Sequence, residues 1–147
     1  MPAPRLFAAV GELSPYLPLL RLAAAAGHRI GWLELDAAPV VDPALDDAVA
    51  AGAFRAVKVG AGRQVAVRAA ASEPVLRDLL RVHFQGCAAV LVLGAEGLPR
   101  LAPAAGEWEL DRVDGGRRRL DSAALLRHLG RRGEDRRSDL SSPRSSR

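Results

Sequence analysis

The run CAAVLVLG, residues 87–94, constrains this chain more than any other stretch. It carries no charge, it follows Gly86, and it ends at Gly94. It falls far short of the ~20 apolar residues that a membrane span needs. A short, continuous apolar run between glycines is satisfied as a strand buried on both faces, the position of a central strand in a largely parallel sheet. Such a sheet requires covering layers, so helices are expected on either side in sequence.

They are found there. RLFAAV (5–10) reads as a first buried strand. Pro15 and Pro18 delay the following helix, because proline is tolerated only in a first turn. That helix starts near Leu17, runs through LLRLAAAA, and stops at Gly27, where a C′ glycine belongs. HRIGWLEL (28–35) is a second strand with Ile30, Trp32 and His28 on one face; Gly31 weakens it or marks close packing. Asp42 followed by Pro43 is a cap and a first helical residue, opening PALDDAVAA up to Gly52.

FRAVKV and QVAVRAA flank GAGR. Gly60 and Gly62 form a G-x-G, but a dinucleotide loop needs a third glycine at the sixth position and a helix after it. Val65 holds that position, and QVAVRAA alternates like a strand. The stretch therefore reads as a β-hairpin. Val57, Val59, Val65 and Val67 are expected on one face, with Ala56, Lys58, Gln64 and Arg68 on the other. Ser72 caps EPVLRDLLRVHFQ, whose Val75, Leu76, Leu79, Leu80 and His83 keep helical spacing. Glu73 and Arg77 form a favourable i,i+4 pair.

AEGLPRLAPAAG reads as an irregular loop. EWELDRV, DGG and RRRL form a second, smaller hairpin. Asp121 and Ser122 cap a last helix that closes at Gly130. The order β-α-β-α-β-β-α-β, then β-β and α, predicts an α/β fold: a Rossmann-like three-layer domain with a mixed, mainly parallel sheet, an inserted β-hairpin and a disordered C-terminal tail. Residues 1–130 form the single domain. Residues 131–147 hold six arginines against Glu134, Asp135 and Asp139, with a single leucine, a composition that cannot bury a core.

Composition matters at three points. Aromatics make up only 4%, so Ala, Val and Leu must build the core. The one cysteine, Cys87, excludes an intrachain disulfide, and with no membrane span or signal peptide the expectation is a cytoplasmic protein. Of 21 basic residues all but Lys58 are arginine, the bias of a GC-rich, bacterial genome.

Ligands of open α/β sheets lie at the carboxyl ends of strands. Those ends carry Gly11, Glu12 and Ser14, then Glu34 and Asp36, then Gly94, Glu96 and Gly97. Of these, Gly11, Glu12, Ser14, Asp36, Gly94 and Glu96 are the ligand-binding candidates, and Asp36 follows Gly11 at about the spacing of a ribose-binding acid. Acids, Gly and Ser also fill solvent-facing loops without any ligand. His28, His83 and His128 fall in no metal-ligand spacing, and His83 with Cys87 is too small a set for zinc. No catalytic residue, metal or cofactor is predicted.

Arg117, Arg118 and Arg119, with the tail, are the candidates for phosphate or nucleic-acid contact, and Trp108 is the only aromatic near the arginine run. The leading expectation is a non-catalytic binding or accessory subunit of a larger assembly, with a protein partner or a second copy of itself. The alternatives are a small enzyme acting on a nucleotide or phosphorylated metabolite at the carboxyl edge, and a weak nucleic-acid binder.

Overall fold

The computed structural model describes residues 3–35, 42–69 and 75–130. The expected tail, the Ser72 cap and Glu73 of the Glu73–Arg77 pair lie outside them, as does Asp36. Two compact units share the chain: residues 1–35 with 79–147, and residues 36–78.

The larger unit is a mixed α/β structure on a six-stranded sheet. Its strands are β1 (Arg5–Ala9), β2 (Ile30–Glu34), β5 (Ala89–Leu93), β6 (Arg100–Ala104), β7 (Glu107–Asp111) and β8 (Arg117–Leu120), in the order β2-β5-β1-β6-β7-β8. β5 lies between β1 and β2 and is parallel to both, so the apolar run is central as expected. Val90, Leu91 and Val92 have no exposed surface.

β6 corrects the sequence reading, which placed an irregular loop there. It pairs parallel to β1 through Ala8↔Arg100 and Ala9↔Leu101, and antiparallel to β7 along its whole length. Pro103 lies inside this strand. The Ala8 N–H donates to the Pro99 carbonyl (2.7 Å), so residues of that parity turn their backbone groups toward β1. The β1 pairing has already ended at Leu101, two residues before Pro103. Proline therefore sits where no ladder donor is needed.

β6 and β7 are joined by Ala105 (φ 48°) and Gly106 (φ 83°). Two left-handed residues match the type I′ turn that suits the twist of a hairpin. Alanine pays a steric penalty in that conformation.

One face of this sheet carries Phe7, Ala9, Ala89, Leu91, Leu101, Trp108, Leu110 and Leu120. Helices α1 (Leu17–Ala25) and α4 (Ser122–Gly130) supply Leu19, Leu125 and Leu129 to the same core. Each fully buried leucine contributes about 1.5–3 kcal/mol. Asp121 caps α4 by accepting from the Ala124 N–H at 2.7 Å. On the opposite face, Phe84 lies so close to Gly31 that a Cβ there would meet its ring at 2.5 Å. Gly31 thus marks close packing.

Tyr16 is the keystone of the core and lies in the short 3-10 turn Ser14–Tyr16 before α1. A continued parallel ladder would send the Val10 N–H to the Leu101 carbonyl. Instead Val10 donates to the Tyr16 hydroxyl (2.9 Å), which donates to Leu101 (2.6 Å). The hydroxyl stands in for a ladder bond where β1 and β6 separate. The Tyr16 ring also contacts Trp32 and Trp108, with centroids 5.3 and 5.5 Å away. Three of the six aromatics thus meet at one point of a core expected to be aliphatic.

The smaller unit contains α2 (Pro43–Ala50) and the hairpin β3 (Arg55–Gly60) and β4 (Arg63–Arg68). The hairpin is confirmed, but it forms its own two-stranded sheet, and the mixed character of the main sheet comes from β7 and β8 instead. The facing of its valines is corrected as well. Ala61 and Gly62 make a two-residue turn, so Gly60 pairs with Arg63 and every pair joins an odd to an even number. Directly paired residues share a face. Val57 and Val59 therefore lie with Gln64, Ala66, Arg55 and Arg68, whereas Val65 and Val67 lie with Ala56 and Lys58. The Lys58 ammonium pairs with Asp42 (2.7 Å), which puts the second face toward the start of α2. Asp42 caps α2 as expected, its Oδ1 accepting from Ala44 (3.0 Å) and Leu45 (3.3 Å).

α3 (Leu76–His83) is the remaining helix among the described residues. It ends three residues before Gly86, which adopts φ 83°. Among the described residues no helix is long and apolar enough to cross a membrane.

Candidate functional site

The carboxyl edge is built by register. Ala9, Glu34 and Leu93 lie abreast at the ends of β1, β2 and β5. The loop carrying Gly11, Glu12 and Ser14 therefore leaves the sheet beside the loop carrying Gly94, Glu96 and Gly97. The second loop also leads from β5 to β6, on the other side of β1, so both loops occupy one edge. Asp36 lies outside the described residues.

Glu12, Ser14, Gly94 and Glu96 are exposed. Gly11 and Gly94 adopt φ 78° and 88°. Gly94 also passes close under β2: a Cβ there would meet the Leu35 carbonyl oxygen at 2.9 Å. Its glycine is explained by packing. Gly11 has open space around it. Ser14 opens the 3-10 turn, and its carbonyl accepts from the Leu17 N–H. Glu34 accepts from the Trp32 indole N–H at 3.0 Å, an organised polar contact at this edge that sequence reading missed. Its signal was the i,i+2 spacing of Trp32 and Glu34, which places both on one face of a strand. Among the described residues, no group of three or more His, Cys, Asp or Glu could hold a metal ion.

The histidines occupy separate places. His128, on α4, is bound through its carbonyl and its ring Nε2 by the Arg5 guanidinium, and its ring meets Phe7 edge-on. The His28 ring packs against Gly130 so closely that a Cβ would clash with it. His83 sits at the end of α3, and the half-buried Cys87 donates its backbone N–H to Phe84, closing a turn.

Arg117, Arg118 and Arg119 are exposed on β8, an outer strand of the sheet. Strand alternation divides them. Arg118 is opposite Leu110 on the core side, whereas Arg117 and Arg119 are opposite Asp111 and Glu109. Arg117 Nε lies 2.9 Å from Asp111 and 3.4 Å from Glu109, and Arg100 approaches Asp111 at 3.8 Å. This alternating-sign ladder across three strands consumes part of the positive charge. Arginine on an outer strand also discourages edge-to-edge pairing.

The hairpin unit presents a different kind of feature. Leu45 is its one buried hydrophobic side chain among the described residues. Phe54, Val59 and Val57 are 84%, 74% and 50% exposed. Exposed alternating valines were legible in sequence only as strand residues, because alternation says which residues share a face and not what covers it.

Comparison with known protein families, with curated proteins and with solved structures finds no match to this chain.

Proposed function

We propose that the protein is a non-catalytic binding or accessory subunit of a larger bacterial assembly, acting in the cytoplasm through a protein partner or a second copy of itself. The observation that supports this most is the hairpin unit, which displays Phe54, Val57 and Val59 while burying only Leu45 among its described hydrophobic residues. A two-stranded sheet is at best marginal in water and gains independent stability from a third strand or further packing. Apolar residues displayed on such a unit fit a surface that is completed by another polypeptide. We read the larger unit as a Rossmann-like three-layer arrangement. The parallel β1, β2 and β5, with α1 and α4 on one face and Phe84 on the other, support that reading.

The test is a native mass spectrum of the full chain purified gently from its own host, with a Val59→Asp variant beside it. The expected result is a defined complex that the variant loses. A bare monomer would overturn the proposal.

A second reading, a small enzyme acting on a nucleotide or phosphorylated metabolite, is favoured by one observation: the left-handed glycines Gly11, Gly94 and Gly97 lie in loops at neighbouring strand ends. Under this reading, ATP is retained in equilibrium dialysis and Glu12→Ala or Asp36→Ala abolishes retention. Equal behaviour of both variants and the parent chain removes it.

A further inference from the structure

We infer that the free edge of β3 takes up an extended polypeptide segment that carries an acid and then alternating apolar residues. This rests on the binding function proposed above and names the chemistry of the partner.

Charge is the first observation. From Ala53 to Ala69 the chain has four basic residues, Arg55, Lys58, Arg63 and Arg68, and no acid. Lys58 is compensated by Asp42 on the face toward α2. Among the described residues the other face has no such compensation. Arg55 is directly opposite Arg68 there, both exposed, and neither makes an ion pair among the described residues. Like charges directly opposed across two strands are destabilising. Nothing in the hairpin's own sequence relieves this pair, so an anionic group from elsewhere is the natural complement.

Next to the arginines the face becomes apolar. Val57 is opposite Ala66, and Val59 is opposite Gln64, toward the turn. A row of one cation and two valines at alternate positions of β3 spans about 13 Å of strand. Among the described residues this sheet has two strands, so β3 has a neighbour on one side only. Adding a strand there would supply main-chain hydrogen bonds, and alternate side chains would supply specificity. An acid beside Arg55 and apolar residues beside Val57 and Val59 satisfy every position of the row.

Other occupants match less well. A second copy pairing its β3 antiparallel about Val57 would set Arg55 beside Val59 and leave both arginines uncompensated. A nucleic-acid strand needs successive cations and stacking aromatics. This face has one pair of arginines, and the β3 and β4 strands contain no aromatic.

The test uses the full chain and fluorescein-labelled peptides followed by anisotropy. One peptide alternates threonine with Glu, Val and Val; a second has Lys in place of Glu; a labelled oligothymidylate is the third probe. The acidic peptide is expected to saturate, and the Lys peptide to bind at least about tenfold more weakly. The double variant Arg55→Glu, Arg68→Glu is expected to reverse that order, which mere loss of folding would not do. The inference is overturned by equal binding of the two peptides, by no saturation, by an unchanged order in the double variant, or by preference for the oligonucleotide. Failure of the peptides alongside an intact complex in the native mass spectrum removes this inference and leaves the binding function standing. Peptide binding by a chain that is monomeric in that spectrum does the reverse.

Discussion

Val90 and Val92 in β5 are completely buried, while Val57 and Val59 in β3 are largely exposed, although both strands are built from the same residue type. The difference lies in what surrounds each strand. β5 has parallel neighbours on both sides and apolar residues at every position. Among the described residues β3 has one neighbour, and it alternates valine with alanine, lysine and glycine. Valine favours strand in either case, so propensity alone builds both. Burial then depends on the neighbours and layers that the rest of the chain supplies.

Core truncation breaks this comparison most directly. Leu125→Ala, at a side chain with no exposed surface, is expected to cost about 2–5 kcal/mol. Val59→Ala is expected to stay within about 0.5 kcal/mol. Urea unfolding of both variants checks the contrast. Equal costs would mean that the hairpin is covered by something in the isolated chain.

Much of the larger unit was legible for the same reason. Continuous apolar runs, cap residues and stop glycines are local signals, and they located β1, β2, β5, α1, α2 and α4. β6 was missed because Pro103 is a local signal against a strand, and only the end of the β1 pairing makes it harmless. The hairpin's facing was misread because it depends on whether the turn has two residues or three, which GAGR does not specify. At the candidate site, the loops after β1 and β5 were legible as strand ends. The Tyr16 bridge was not, since it depends on strand order, and the Trp32–Glu34 contact showed in sequence only as an i,i+2 spacing within one strand.

Tyr16→Phe is the next largest effect. It removes the hydroxyl that joins the Val10 N–H to the Leu101 carbonyl. Two backbone groups then lose their partner, at an expected cost of about 1–3 kcal/mol. Burial raises the Tyr16 pKa above its ordinary value, opposed more weakly by the Val10 hydrogen bond and by Arg100. The folded state therefore resists ionisation. Its contribution is fully present below the ordinary value of 10.0 and is lost as pH rises through the folded pKa. Because this is the only tyrosine, the phenolate absorbance reports it directly. A native midpoint at or below that of the urea-unfolded chain would show that the hydroxyl is not held in the core.

A smaller effect is expected at the β6–β7 turn. Ala105 is the one non-glycine residue with positive φ among the described residues. Ala105→Gly should raise stability by up to about 1 kcal/mol, the removed strain being partly offset by the greater freedom of the unfolded chain. A destabilised variant in thermal unfolding would place the turn in another conformation.

The smallest effect sharpens the comparison from the hairpin side, where polar contacts must do what the core does elsewhere. The Asp42 carboxyl lies below its ordinary value, chiefly through the Lys58 hydrogen bond and then through the Leu45 N–H. Its contribution is present above the ordinary carboxylate value of 3.8 and is lost as pH falls through the folded pKa. Carboxyl titration by NMR is expected to give a midpoint below 3.8 for Asp42. Lys58→Met should move that midpoint upward without reaching the ordinary value, because the Ala44 and Leu45 amides still donate to the cap. If Lys58→Met leaves the midpoint unchanged, the ion pair does not tie β3 to α2, and the valine face loses the contact that orients it. If the midpoint rises as expected, a single charged pair and a helix cap hold the face of Val57 and Val59 outward, ready for the strand it lacks.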